Sequence, residues 1–149
     1  LRAAASAATL LTGSFPLSAD ENASRPSIGF SLYGMKSLPL TDALRVCAEI
    51  GYESVEFAVM ADWPSAPESL SADQRRDLRQ QLRDRNLRLA ALMENLPLVA
   101  EGEKHWANLD RLKRAFELSR DLAPEQAPLV ETVLGGSPDK WPTLKEAFV

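Results

Sequence analysis

The fold is decided by IGFSLYGM at 28–35, followed by LTDALRVCAEIGYESVEF at 40–57. Ile28, Phe30 and Leu32 alternate with small or polar residues, the period-2 pattern of a strand over 27–32. After a turn over 33–39 the period changes. Leu40, Leu44 and Cys47 recur at i, i+4, i+7 and share one buried face of a helix over 40–50. Gly51 stands where a left-handed C-terminal cap is wanted. SVEFAV at 54–59 then reads as a second strand, with Val55 and Phe57 on one face.

The same rhythm continues. Ser71 opens a helix with Gln74 three residues on, a capping-box pattern, and Leu78 and Leu82 form its apolar stripe. Asn86 is its stop. RLAALM at 88–93 reads as a third strand. A long helix follows over about 105–122, with Leu109, Leu112 and Phe116 on the face expected to be buried. PLVETVL at 128–134 makes a fourth strand, Gly135-Gly136 its turn, and Trp141 begins a fourth helix that runs to Val149. Each gap between strands holds one helix, which implies a parallel sheet with right-handed crossovers. No G-x-G-x-x-G follows the first strand and no P-loop is present, so a nucleotide-binding open sheet loses ground. The alternative is a (β/α)8 TIM barrel, which needs eight units and about 250 residues. On that reading the α/β chain carries about the first four units at 28–149, and both of its ends look cut.

Composition bounds the rest. The 149 residues carry 17 Lys+Arg against 21 Asp+Glu, a net charge of −4, so bulk charge does not suggest a nucleic-acid partner. The single cysteine, Cys47, excludes an internal disulfide and a cysteine-rich zinc site; it falls on a buried stripe and reads as a small core residue. The one histidine, His105, limits what metal chemistry this chain offers by itself. Residues 1–27 differ from the remainder. LRAAASAATLLTG at 1–13 is Ala/Ser/Thr-rich and free of acids, and Ser18-Ala19 precedes Asp20-Glu21. This is the pattern of the back half of an export signal followed by a linker. Its weak hydrophobicity resembles a twin-arginine-type signal to the periplasm; without such a signal, the chain would be cytoplasmic. The apolar run is too short to span a bilayer, which takes about 20 residues.

Strands covered on both faces should read as continuous apolar runs, and three of these do not. Glu56, Glu94 and Glu131 interrupt them. Alternation turns Glu56 and Ala58 inward, opposite Val55 and Phe57. It sets Ala90, Leu92 and Glu94 on one face, with Glu94 at the C-terminal mouth, and puts Glu131 and Val133 on a face of their own. A carboxylate pointing into a barrel must be paired, metal-bound or protonated. Asn95 beside Glu94 could donate a hydrogen bond to a substrate oxygen. Tyr33, Trp63 and Trp141 each follow a strand and sit in loops at the expected mouth, where rings could stack on a sugar or cover the rim. The arginines at 75, 76, 79, 83 and 85 are interleaved with Asp73, Asp77 and Asp84, the pattern of a solvated helix face.

Gly51-Tyr52 after the first helix and Val55-Glu56-Phe57 ending the second strand resemble the opening of the sugar phosphate isomerase/epimerase family, the xylose isomerase-like TIM barrels. The resemblance covers about residues 28–149. It implies a divalent-metal enzyme (Mn, Mg, Zn or Co) acting on a sugar or small hydroxy-ketone. It also implies metal ligands and catalytic residues in the second half of the barrel, none of them in this chain. Glu56 carries over as a strand-two glutamate near the substrate. Many members end strand three with a histidine, where this chain has Glu94-Asn95.

Such an enzyme removes a proton from a carbon beside C=O and stabilises the enediolate, work suited to carboxylates and a Lewis acid. Two other readings stand beside it. One is an exported, non-catalytic sugar-binding barrel. The other is an endonuclease IV-like phosphodiesterase, against which the single histidine and the negative charge count. Four units would leave two open sheet edges and an uncovered face, from which aggregation, dimerisation through the edges (a homo-oligomer) or a partly molten state is expected.

Overall fold

The computed structural model describes residues 27–146 apart from Leu98, Leu134 and Gly136. The export-signal reading therefore lies, except for Ser27, outside the described residues, as do the last three positions of the fourth helix. Strands β1 (Gly29–Ser31), β2 (Ser54–Ala58), β3 (Arg88–Pro97) and β4 (Leu129–Val133) alternate with helices α1 (Leu40–Ile50), α2 (Ala72–Asp84), α3 (Gly102–Leu122) and α4 (Trp141–Glu146). The sheet is parallel throughout, in the order β1-β2-β3-β4. Sequential parallel strands joined by helices are four consecutive βα units of a barrel wall.

Local chemistry explains the boundaries. The first strand is shorter than its alternation suggests, because Ser31 accepts a hydrogen bond from the Tyr33 N–H and caps a 3-10 turn over Leu32–Met35. Leu44 and Cys47 of α1 are fully buried, and burial raises the Cys47 thiol pKa, which suits an inert core residue. Gly51 closes α1 in the left-handed region at φ 97°. Ser71 and Gln74 form the expected reciprocal cap on α2. The core lies between sheet and helices, built from Leu44, Val55, Phe57, Leu78, Leu82, Leu92 and Leu118 among others.

Two expectations fail in instructive ways. The apolar stripe of α3 is not its buried face: Leu109 and Phe116 are exposed, while Asn108, Ala115, Leu118, Ser119 and Leu122 face the sheet. A helix chooses its face by all its contacts, and an ion pair from Arg111 to the sheet turns α3 away from its greasier side. The second failure is on β3. Val55 pairs with Leu89 but Glu56 pairs with Ala91, so β3 carries one extra residue, Ala90. A one-residue bulge reverses the facing of every side chain beyond it.

Replacing Gly51 by Ala forces a Cβ into the left-handed region, which costs roughly 1–2 kcal/mol. A urea unfolding curve should show a lower midpoint with an unchanged slope.

Candidate functional site

The strand pairing puts Ser31, Glu56, Ala91, Met93 and Glu131 on the inner face of the sheet, opposite the helices. Glu56 and Glu131 come from β2 and β4, which are not neighbours. Their carboxyls nevertheless come close enough to interact, by charge and by a hydrogen bond when one of them holds a proton. Alternate strands of a tilted barrel wall contribute to the same interior layer, and β3 fills the space between with Ala91 and Met93. The Ser31 hydroxyl donates a hydrogen bond to Glu56 Oε1. A chain of three polar groups thus runs Ser31–Glu56–Glu131 across the inner face.

Two carboxyls in contact cannot both be charged without cost. Although Glu131 as a residue is exposed, the Glu131 pKa is raised, first by partial burial of its carboxyl, then by the Glu56 charge and the hydrogen bond between them. The Glu131 carboxyl therefore keeps a proton to higher pH than an isolated glutamate does. A carboxyl whose folded pKa is raised contributes stability while protonated. That contribution is lost as pH rises from its unfolded value of 4.5 towards the raised one.

At the C-terminal ends of β1 and β2 the Tyr33 and Trp63 rings stack at 5.3 Å between centroids, 24° apart. The Lys36 ammonium lies 5.0 Å from the Trp63 ring centre, a cation–π contact. These rings sit at the rim where barrels of this type carry their sites.

Glu94 is the residue that sequence alternation misplaced. It was expected inward at the mouth; the extra residue in β3 turns it to the helix side, where it is 1% exposed. There Arg111 of α3 grips both its oxygens, at 2.9 and 3.3 Å, and reaches Glu68 at 3.4 Å. The Glu94 hydrogen bond holds the Arg111 pKa above its usual value against the opposing effect of burial. Glu94 therefore does not join Glu56 and Glu131. Asn95 is exposed near the end of β3, where the pairing with β4 slips between Met93 and Pro97. Trp141 is exposed at the start of α4 beneath Lys145. His105 packs edge-on against Trp106 on α3.

Ser31 and Arg111 were not anticipated. Ser31 had a signal: it is the polar position opposite Phe30 in the first strand. Arg111 lies on the 108, 111, 115, 118, 122 spacing of the buried stripe, which is hard to recognise because only one of its first three members is apolar.

Among the described residues, no group of three or more His, Cys, Asp or Glu side chains could hold a metal ion. Two carboxyls that hydrogen-bond each other are too few to close a divalent-ion site, so the expected metal does not fit this chain's described residues alone.

No protein-family model and no curated protein matches the chain. A solved structure does: it is similar to a xylose isomerase domain protein from Planctomyces limnophilus, with 12% sequence identity and a TM-score of 0.54. The match covers 83% of this chain and 47% of that one, so the chain spans about half the length of the protein it resembles. The fold is therefore that of a partial xylose isomerase-like TIM barrel, in agreement with the fold expected from the Gly51-Tyr52 and Val55-Glu56-Phe57 motifs. No helix among the described residues is long and apolar enough to cross a membrane.

Two measurements check this geometry. Arg111→Ala leaves the buried Glu94 without its partner and should cost about 3 kcal/mol in chemical denaturation; the double change to Arg111→Met with Glu94→Leu should recover most of it. Glu56→Gln removes one cause of the raised Glu131 pKa, so an NMR titration should find the Glu131 carboxyl shifted down relative to the unmodified protein.

Proposed function

We propose that this chain supplies part of a sugar isomerase or epimerase, acting on a sugar or small hydroxy-ketone by moving a proton beside a carbonyl. The observation that supports this most is the Ser31–Glu56–Glu131 chain on the inner face of a xylose isomerase-like wall. In the proposal, Glu131 gives a proton to the substrate carbonyl oxygen, Glu56 takes the proton from the neighbouring carbon, and Ser31 holds Glu56 in place. The Tyr33–Trp63 stack presents an apolar platform to the C–H face of a sugar, and Lys36 beside it adds a donor. No step is assigned to a metal, because the described residues do not complete a site for one. Export to the periplasm, suggested by residues 1–27, belongs to the proposal as well.

A non-catalytic sugar-binding barrel is the second reading, favoured by the same aromatic rim, which binds without any proton transfer. One experiment separates them. The complete gene product is incubated with ketopentoses and ketohexoses in D2O, with and without Mn²⁺ or Mg²⁺, and followed by proton NMR. Catalysis predicts deuterium entering the carbon beside the carbonyl, at a rate lowered about a hundredfold or more by Glu131→Gln. Sugar binding without exchange leaves the second reading, and neither binding nor exchange defeats both.

A further inference from the structure

A cavity of about 450 Å³ opens at the opposite end of the wall from the carboxyl pair, where α2 and α3 finish and β3 and β4 begin. Its volume suits a small organic ligand. Leu87, Leu89 and Leu122 supply apolar lining, and Arg79, Arg83 and Arg88 supply positive charge. Glu125 is the one acidic residue in the lining, so the charge there is three positive against one negative, in a chain whose net charge is −4. These residues come from the C-terminal halves of α2 and α3, the start of β3 and the connections that follow the helices, so the cavity is built within two consecutive units.

The arginines of α2 were expected to form a solvated face, and most of them are occupied. Arg75 bonds Asp121 and two backbone carbonyls, Arg76 pairs with Asp73, and Arg85 donates to the Gln81 carbonyl. Among the cavity arginines, Arg83 donates to Gln80, and Arg88 at the start of β3 donates to Ser27; like Arg85, neither has an ion-pair partner among the described residues. Four arginines are half-buried among the described residues: Arg75, Arg79, Arg85 and Arg111. Three have partners; Arg79 has no recorded hydrogen bond or ion pair among those residues. Arg79 lines the cavity with its guanidinium donors unclaimed by any described residue, so they are open to an anion there.

We infer that this cavity binds a small organic anion, a phosphate or carboxylate group on an apolar body, with Arg79 as the central contact to the anionic head. The site is separate from the inner-face carboxyls and independent of what they do. A planar guanidinium forks onto either oxyanion, and the leucines accept the apolar part.

The test uses the complete protein and four probes: phenyl phosphate, benzoate, inorganic phosphate and phenol, with binding read by calorimetry and by NMR shifts of residues 79–89. Phenyl phosphate or benzoate should bind at least tenfold more tightly than inorganic phosphate and than phenol, and their ratio says which head group is preferred. Arg79→Gln should weaken the better binder tenfold or more, and Arg79→Lys should restore part of the loss. Circular dichroism checks that both variants fold; if Arg79→Gln does not, the Arg83→Gln and Arg88→Gln pair takes its place. Phenol binding as well as the anions would overturn the charged site, and inorganic phosphate binding as well as phenyl phosphate would overturn the apolar one. No binding of either organic anion, or binding indifferent to Arg79, would overturn the inference altogether. Sugar turnover at the other end is unaffected by these variants, so the failure of one proposal is distinguishable from the failure of the other.

Discussion

The arrangement of this half-wall depends on one extra residue. Ala90 has no partner in β2, so the pairing passes from Val55–Leu89 to Glu56–Ala91. Without it, simple alternation would point Leu92 and Glu94 inward and Met93 towards the helices. With it, Leu92 joins the fully buried core beside Phe57, Met93 faces the interior next to Glu131, and Glu94 turns to α3. The period of a strand is two, so a slip of one exchanges the two faces. The bulge thus decides which glutamates share the inner face and which is held in the core.

Glu94 sets the next level of organisation. A carboxylate that is 1% exposed is tolerable only with a partner of good geometry, and the Arg111 fork provides it. Because the pair is buried, it acts as a register pin more than as a source of net stability. It fixes the rotation of α3 about its axis, and the reach of Arg111 to Glu68 ties that helix to the loop after β2. The exposed side of α3, with Trp106, Leu109 and Phe116, follows from this choice. An amphipathic stripe states where a helix could bury apolar area; a buried charge pair can overrule it, since an unpaired charge costs more than an exposed leucine gains.

On the inner face the physics runs the other way. Glu56 and Glu131 are not separated by opposite charges but brought into contact, with the Ser31 hydroxyl on Glu56. The contact is eased because burial and the neighbouring carboxyl raise the Glu131 pKa, so this group holds a proton to higher pH than an isolated glutamate. Structure and sequence agree on Glu56: Val55 and Phe57 are anchored in the core, which leaves their neighbour no other direction. For Glu131 alternation allowed a separate face without saying whose, and only the stagger of parallel strands brought it to Glu56.

The sequence by itself determined the α/β order, the parallel sheet, the Gly51 cap, the Ser71–Gln74 box and the buried faces of α1 and α2. The elements, caps and buried faces rest on interactions within a few residues, where period and cap chemistry act directly; the parallel sheet follows from the single helix between successive strands. The likeness of residues 28–57 to the xylose isomerase-like barrels was also legible there, and the fold bears it out. Only the tertiary structure decided the facing of Glu94, the rotation of α3, the meeting of Glu56 with Glu131 and the arginine-lined cavity. These depend on register between strands and on partners far apart in the chain, such as Arg111 for Glu94. A bulge that adds one small residue leaves almost no mark on composition or periodicity, yet it reverses everything beyond it.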